Sequence, residues 1–259
     1  METPKPVPRN RHIYLLPNLL TTCGMFAGFY AILAAASGRF EHAFAAVFVA
    51  AIFDGIDGRV ARMTGTSSEF GVQYDSLADL VSFGMAPALV MYHWALVGMK
   101  IDGPLAGKIG WAAAFLYAAC GALRLARFNT QVGVVDKRWF IGLNSPSSAA
   151  LMMSFAWTFQ NLGYAGEDLR YFAVALTVVC ALLMVSRIRY TSFKGGPKPE
   201  PIDGARAERV PFWGMLLVVG TLVVLFVAQE KGLLTVAALY ALSGPAYWAW
   251  GKFSRKAAA

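Results

Sequence analysis

Four aspartates stand in a strongly apolar part of the chain, in two groups separated by a polar stretch. Asp54 and Asp57 lie in AIFDGIDGRVAR, and Asp75 and Asp79 lie in GVQYDSLADL. Spacings of three and four residues put the members of each pair on one face of a helix. Clustered carboxylates repel one another in a medium of low dielectric constant unless cations neutralise them. Oxygen ligands of this kind suit Mg²⁺ or Mn²⁺, and we expect the four acids to hold two such ions.

Small residues and an arginine accompany the acids. Gly58 and Ala61 follow Asp57 on the same helix face, and Gly71 begins the second group. Absent or short side chains let a bulky ligand approach the backbone beside the metal ions. Arg62 adds a fixed positive charge that can bind a pyrophosphate through directional hydrogen bonds. Two ions beside a pyrophosphate suit in-line phosphoryl transfer, so we expect a lipid substrate that carries a phosphoanhydride.

The elements that position these residues are predicted to be transmembrane helices. Hydrophobic residues make up 57% of the 259 residues, charged residues make up 15%, and the mean hydropathy is +0.51. These values predict an all-α, polytopic membrane bundle. Apolar runs of sufficient length predict about eight helices, at residues 13–36, 42–63, 72–98, 107–128, 145–162, 169–188, 212–228 and 233–250. Gly, Ser and Thr between the second and third predict a short turn that makes these helices antiparallel.

Composition divides the chain into three regions. We expect a six-helix catalytic domain at residues 1–190, a cytoplasmic linker rich in Pro, Gly and charge at 191–210, and a terminal helix pair at 211–259. Lys and Arg are retained on the cytoplasmic side of membranes. With both termini in the cytoplasm, all but five of the 23 basic residues lie there, the exceptions being Arg39, Lys100, Lys108, Arg170 and Lys231. The four aspartates then also face the cytoplasm.

The net charge of +8 does not indicate a nucleic-acid partner, because the basic residues lie in short loops beside hydrophobic segments. Anionic membrane lipids are the simpler partner. A cation transporter is a remote alternative, since carboxylates inside a membrane also build ion pathways. The aspartates cluster near one side of the membrane instead of continuing across it, which favours an enzyme. A scaffold without catalysis is the third alternative.

Together these residues resemble the signature of the CDP-alcohol phosphatidyltransferases at every fixed position: Asp54-x-x-Asp57-Gly58-x-x-Ala61-Arg62, eight residues, then Gly71-x-x-x-Asp75-x-x-x-Asp79. The resemblance implies a helical membrane enzyme in which an alcohol displaces CMP from a CDP-linked lipid. It implies that all four aspartates bind metal, that Asp79 is also the general base, and that CDP contacts Asp57, Gly58, Ala61, Arg62 and Gly71. A carboxylate beside a hydroxyl can indeed accept its proton as the bond to phosphorus forms.

Flanking sequence indicates the acceptor alcohol. PNLLTTCGMFAGFYAI, EFGVQYDSLADLVSFGMAPA, GALRLARFN and FIGLNSPSSAA resemble the membrane-type phosphatidylserine synthases of bacteria and archaea over roughly the first 155 residues. This implies CDP-diacylglycerol as the donor and L-serine as the acceptor, with glycerol 3-phosphate, inositol phosphate or choline as alternatives. Arg124 and Arg127 are candidates to bind the serine carboxylate, with Asn129 nearby. The positive-inside rule alone would also explain both arginines.

Three further expectations accompany this resemblance. Pro17, Asn18 and Thr21 are explained as the start of the first helix, although a similar P-N-x-x-T pattern in the family lies near the nucleotide. The family resemblance implies a homodimer. We expect the protein in the bacterial inner membrane, with its active site on the cytoplasmic side.

Overall fold

Helices dominate the computed structural model, which describes residues 15–65, 68–131, 139–191 and 230–250. They are α1 (Leu15–Ala36), α2 (Phe40–Thr64), α3 (Glu69–Asp79), α4 (Ala86–Trp94), α5 (Pro104–Gln131), α6 (Ser145–Asn161), α7 (Arg170–Val185) and α8 (residues 230–250). The predicted helical fold is therefore confirmed. The helix expected at 212–228 and nearly all of the expected linker lie outside the described residues, so the count of eight membrane helices and the division into three regions stay predictions.

Four of the described helical stretches are long and apolar enough to cross a membrane: Leu15–Ala36, Glu69–Asp102, Pro104–Thr130 and Gly166–Val185. Helix α2 has a sufficient length of 25 residues, but it carries acids and arginines that reduce its hydropathy. Helix α6 is shorter, with 17 residues. Charge within a helix of an otherwise apolar bundle is expensive and marks a functional element. Helix α2 is that element here.

Helices α1 and α2 pack against each other through small side chains. Ala31 and Ala34 of α1 and Ala43 of α2 are fully buried. Small residues let two helix backbones approach closely, which is how membrane helices gain packing energy where lipid supplies no hydrophobic drive. This close pair fixes α2, and therefore the first two aspartates, against α1.

Capped helix ends flank the polar stretch between α2 and α3 that was predicted to form a turn. Gly65 ends α2 with φ of 62°, and its N–H donates to the carbonyl of Ala61. Ser68 begins α3 as its N-cap, because its hydroxyl oxygen accepts the N–H of Gly71 at 3.0 Å. Such caps satisfy backbone groups that a helix end leaves unpaired. Helix α2 thus ends and α3 begins within a few residues, and carboxylates of the two helices come together.

The third predicted helix, at 72–98, is not the regular helix expected. It begins earlier, passes through a π-helical turn at Leu80–Met85 into α4, and ends in a 3₁₀ segment at Leu96–Asp102. Pro87 explains the change, because proline has no N–H to donate to the carbonyl four residues earlier, at Phe83. The buried Tyr117 hydroxyl of α5 donates to that carbonyl instead, at 3.2 Å. The π-helical turn directly follows Asp79.

The π-helical turn packs tightly on α1. The Ser82 hydroxyl donates to the carbonyl of Gly24 at 3.2 Å. A Cβ atom added to Gly28 would lie 2.7 Å from the Cα of Ser82 and 2.8 Å from its Oγ, closer than real contacts allow. Only glycine fits at position 28, and this contact fixes how closely α1 approaches the π-helical turn that follows α3.

Two short strands, which the sequence analysis did not predict, tie the remaining helices together. Strand β1 (Trp139–Ile141) precedes α6, and β2 (Arg189–Thr191) follows α7, and the two pair in antiparallel register. Gly142 then turns with φ of 82°, and a side chain there would collide with the carbonyl of Met184. Its N–H donates to the carbonyl of Ile188 at 2.8 Å. The strand pair therefore holds the start of α6 beside the end of α7.

Candidate active site

Three of the four aspartates converge between α2 and α3. Carboxylate oxygens of Asp54, Asp57 and Asp75 all lie within 4.8 Å of one another. Asp79 lies outside this triplet, one helical turn beyond Asp75. It nevertheless lines the same small cavity, of about 10 Å³, as the other three. The structure thus brings the four predicted residues to one place, with three in the closer group.

The cluster fits a divalent cation. Oxygens that bind Mg²⁺ lie about 2.1 Å from the ion, so ligands on opposite sides are about 4.2 Å apart. The spacing of the three carboxylates needs only a small contraction to match that. The small cavity that the four aspartates line has room for roughly one water molecule. Asp54, Asp57 and Asp75 would therefore be able to hold one ion, and Asp79 lines the same cavity beside them.

Helix α1 contributes a hydrogen bond that the sequence analysis missed. Asp57 is buried, with 4% of its surface exposed. The Thr21 hydroxyl lies 2.6 Å from its Oδ2 and 3.1 Å from the carbonyl of Pro17, and it can donate its proton to either. Donors that orient a ligating carboxylate tune a metal site as strongly as some ligands do. The P-N-x-x-T pattern was the available signal, and its explanation as a helix start was incomplete.

A second, larger cavity adjoins the carboxylates. It measures about 190 Å³, and all five residues predicted to contact CDP line it, together with residues of α1 and the α2–α3 turn: Pro17, Asn18, Thr21, Asp57, Gly58, Ala61, Arg62, Ser68, Gly71, Val72 and Asp75. A Cβ atom on Gly58 would lie 3.5 Å from Nη1 of Arg62, so the guanidinium lies close over the bare backbone. The cavity offers a cation, backbone access and polar α1 side chains to a phosphate-bearing ligand.

The predicted acceptor residues have different surroundings. Nη1 of Arg124 donates to the Ser145 hydroxyl at 2.6 Å, and this arginine interacts electrostatically with Asp79. Arg127 donates to the carbonyl of Val185 at 3.0 Å. The side-chain amide of Asn129 donates to Ser76 at 3.0 Å. Arg127 therefore holds α5 to α7, and Asn129 holds α5 to α3, while Arg124 is the one of the three with an interaction with Asp79.

Sequence comparison agrees with this arrangement. Residues 14–185 match the pattern that defines the CDP-alcohol phosphatidyltransferases, and this segment includes every residue of both cavities. The chain belongs to the CDP-alcohol phosphatidyltransferase family. The matched segment ends with α7, so α8 lies beyond it.

Curated relatives of this phosphatidyltransferase have related names. A CDP-diacylglycerol–serine O-phosphatidyltransferase of Helicobacter pylori is 39% identical over 182 residues, which cover 70% of this chain and 74% of the relative. One of the same name from Methanocaldococcus jannaschii is 33% identical over 183 residues, or 71% and 77% of the two chains. An archaetidylserine synthase of Methanothermobacter thermautotrophicus is 35% identical over 182 residues, or 70% and 71%.

Proposed function

We propose that this phosphatidyltransferase transfers the phosphatidyl group of CDP-diacylglycerol to the hydroxyl of L-serine, giving phosphatidylserine and CMP. The observation that carries the proposal is the carboxylate cluster beside the cavity lined by Gly58, Arg62 and Gly71. The names of the similar bacterial and archaeal proteins support serine as the acceptor.

The reaction exchanges one bond to phosphorus for another. The serine hydroxyl oxygen bonds to the phosphatidyl phosphorus, the bond from that phosphorus to the bridging oxygen breaks, and CMP leaves with that oxygen. Asp79 accepts the hydroxyl proton, since it stands in the cavity without belonging to the closer triplet. Arg62, which lines the larger cavity, binds the diphosphate. Two bound divalent ions, Mg²⁺ or Mn²⁺, would neutralise the aspartates and withdraw charge from the departing CMP.

The acceptor side belongs to the same proposal. Arg124 is the first candidate for the serine carboxylate because it is the predicted acceptor residue that interacts with Asp79. Arg127 and Asn129 are proposed to support it from the same end of α5. An orientation with both termini and the active site in the cytoplasm agrees with the distribution of Lys and Arg. We further propose that the protein lies in a bacterial inner membrane, has eight membrane helices and forms a homodimer.

The test is release of CMP by purified protein in detergent with CDP-diacylglycerol and one acceptor at a time. We expect release with L-serine in the presence of Mg²⁺ or Mn²⁺, and none after chelation by EDTA. Glycerol 3-phosphate, inositol phosphate and choline are the comparison acceptors. Release with one of these and none with L-serine would show that the donor assignment is right and the acceptor assignment is wrong.

A further inference from the structure

Arg124 is partly buried and offers a donor that the protein leaves unused. Its Nη1 is bound to Ser145, but its Nε is buried and has no hydrogen-bond partner in the part of the chain that the structure describes. A buried donor without a partner costs free energy, and more so when the group is charged. An anionic ligand that accepts from this Nε would remove that cost.

Helix α8 brings a tyrosine hydroxyl to the same place. Tyr240 interacts electrostatically with Arg124. Its hydroxyl oxygen accepts a hydrogen bond from Nδ2 of Asn144 at 3.4 Å. Asn144 is also the N-cap of α6 and directly precedes Ser145, the partner of Arg124. One guanidinium, one phenol and a helix N-terminus therefore meet here, and each of them favours an anion.

The position of α8 is fixed independently of Tyr240. The buried Tyr190 of β2 donates its hydroxyl proton to the carbonyl of Ala241 at 3.1 Å. Gly244, one turn further along α8, lies against the ring of Tyr190, where any larger residue would collide with it. The rings of Tyr190 and Tyr240 also pack, with centroids 5.6 Å apart. Tyr240 is therefore held toward Arg124 by contacts that do not involve its own hydroxyl.

We propose that Tyr240 and Arg124 together bind the carboxylate of the amino-acid acceptor, so that α8, which lies outside the family-matched segment, takes part in acceptor selection. The inference rests on the proposed function and names a residue that the family signature does not contain. The carboxylate would accept from Nε of Arg124 and from the Tyr240 hydroxyl. Because Arg124 also interacts with Asp79, a serine held in this way directs its hydroxyl toward the general base.

The experiment compares Tyr240→Phe with Tyr190→Phe by CMP release at varied concentrations of L-serine. Tyr240→Phe removes the proposed contact to the substrate, and Tyr190→Phe removes a hydroxyl that only anchors α8. We expect Tyr240→Phe to raise KM for L-serine about tenfold, while kcat and KM for CDP-diacylglycerol stay within about twofold. Tyr190→Phe should leave KM for L-serine near the wild-type value.

A second acceptor separates binding of the carboxylate from a general effect on the site. L-serine methyl ester keeps the hydroxyl and the amine but has no carboxylate, so Tyr240→Phe should not raise its KM. An unchanged KM for L-serine in Tyr240→Phe would overturn the inference and leave the proposed function standing. An equal rise in both variants would show that α8 has only a supporting role. A wild-type protein that releases no CMP with L-serine would overturn the proposed function, and this inference with it.

Discussion

The contact between Gly28 and Ser82 gives the sharpest test of how the fold positions the site. A Cβ atom on residue 28 would stand 2.7 Å from the Cα of Ser82, whereas ordinary contacts begin at 3.4 Å. Gly28→Ala therefore forces α1 and the π-helical turn apart by about 0.7 Å, or strains both. Overpacking of this kind typically costs about 1–3 kcal/mol of folding free energy.

The shift also reaches the reaction. Ser82 lies one helical turn beyond Asp79, so a displaced π-helical turn moves the carboxylate of Asp79 relative to Asp54 and Asp57 on α2. Displacements of about 1 Å in a catalytic group can cost about a hundredfold in rate. We expect Gly28→Ala to lower kcat about ten- to a hundredfold, with a smaller change in KM for CDP-diacylglycerol.

The matched control is Gly55→Ala, the same change on α2 between two of the aspartates. Nothing lies within 4 Å of a Cβ atom at Gly55, so alanine is accommodated there and improves the helix slightly. CMP release gives kcat, and a thiol-reactive dye that reports exposure of the buried Cys120 and Cys180 on heating gives Tm. If Gly28→Ala kept the kcat and Tm of the wild type, the reasoning would be refuted. It would also be refuted if Gly55→Ala lost as much kcat and Tm as Gly28→Ala.

Three further outcomes follow from the site. Asp79→Asn should lower kcat at least a hundredfold while CDP-diacylglycerol still binds, as measured by protection against thermal unfolding, and unchanged turnover would remove Asp79 from its role. Thr21→Val should raise the Mg²⁺ concentration for half-maximal activity about tenfold, because Asp57 loses the Thr21 hydroxyl as a donor, and Thr21→Ser should restore the wild-type value. Tyr117→Phe should destabilise the protein by about 1–3 kcal/mol, because the Phe83 carbonyl loses its donor, and an unchanged Tm would contradict this.

The helical placement of the four aspartates was predictable from the sequence because its signals are local. The spacing of Asp54 and Asp57, and of Asp75 and Asp79, fixes which helix faces carry acid, and the polar stretch between the pairs indicates where one helix ends and the next begins. Helix α1 was predicted as an element, but the hydrogen bond from Thr21 to Asp57 was not. It joins residues 36 positions apart, and no periodic pattern reports such a contact.

Other features depended on tertiary packing. Pro87 was visible within an apolar run, yet the run was predicted as one regular helix, because the carbonyl that proline leaves unpaired finds its donor on a distant helix. Strands β1 and β2 have three residues each, too few for an alternating pattern to appear. Tyr240 carries no local signal at all, since its relation to Arg124 arises only when α8 packs on Tyr190.

The π-helical turn has a consequence for insertions and deletions. A π-helical turn behaves like an α-helical turn that holds one extra residue. Deleting a single residue from Leu80–Met85 would therefore let the chain run as a regular helix, while the residues downstream keep their orientation relative to Asp75 and Asp79. Val90 and Trp94 would stay buried in the core. The same deletion within the regular part of α3 or α4 would instead rotate everything downstream by about 100°. The π-helical turn is thus the place in this segment where a chain can lose one residue and keep both the core and the aspartates in place.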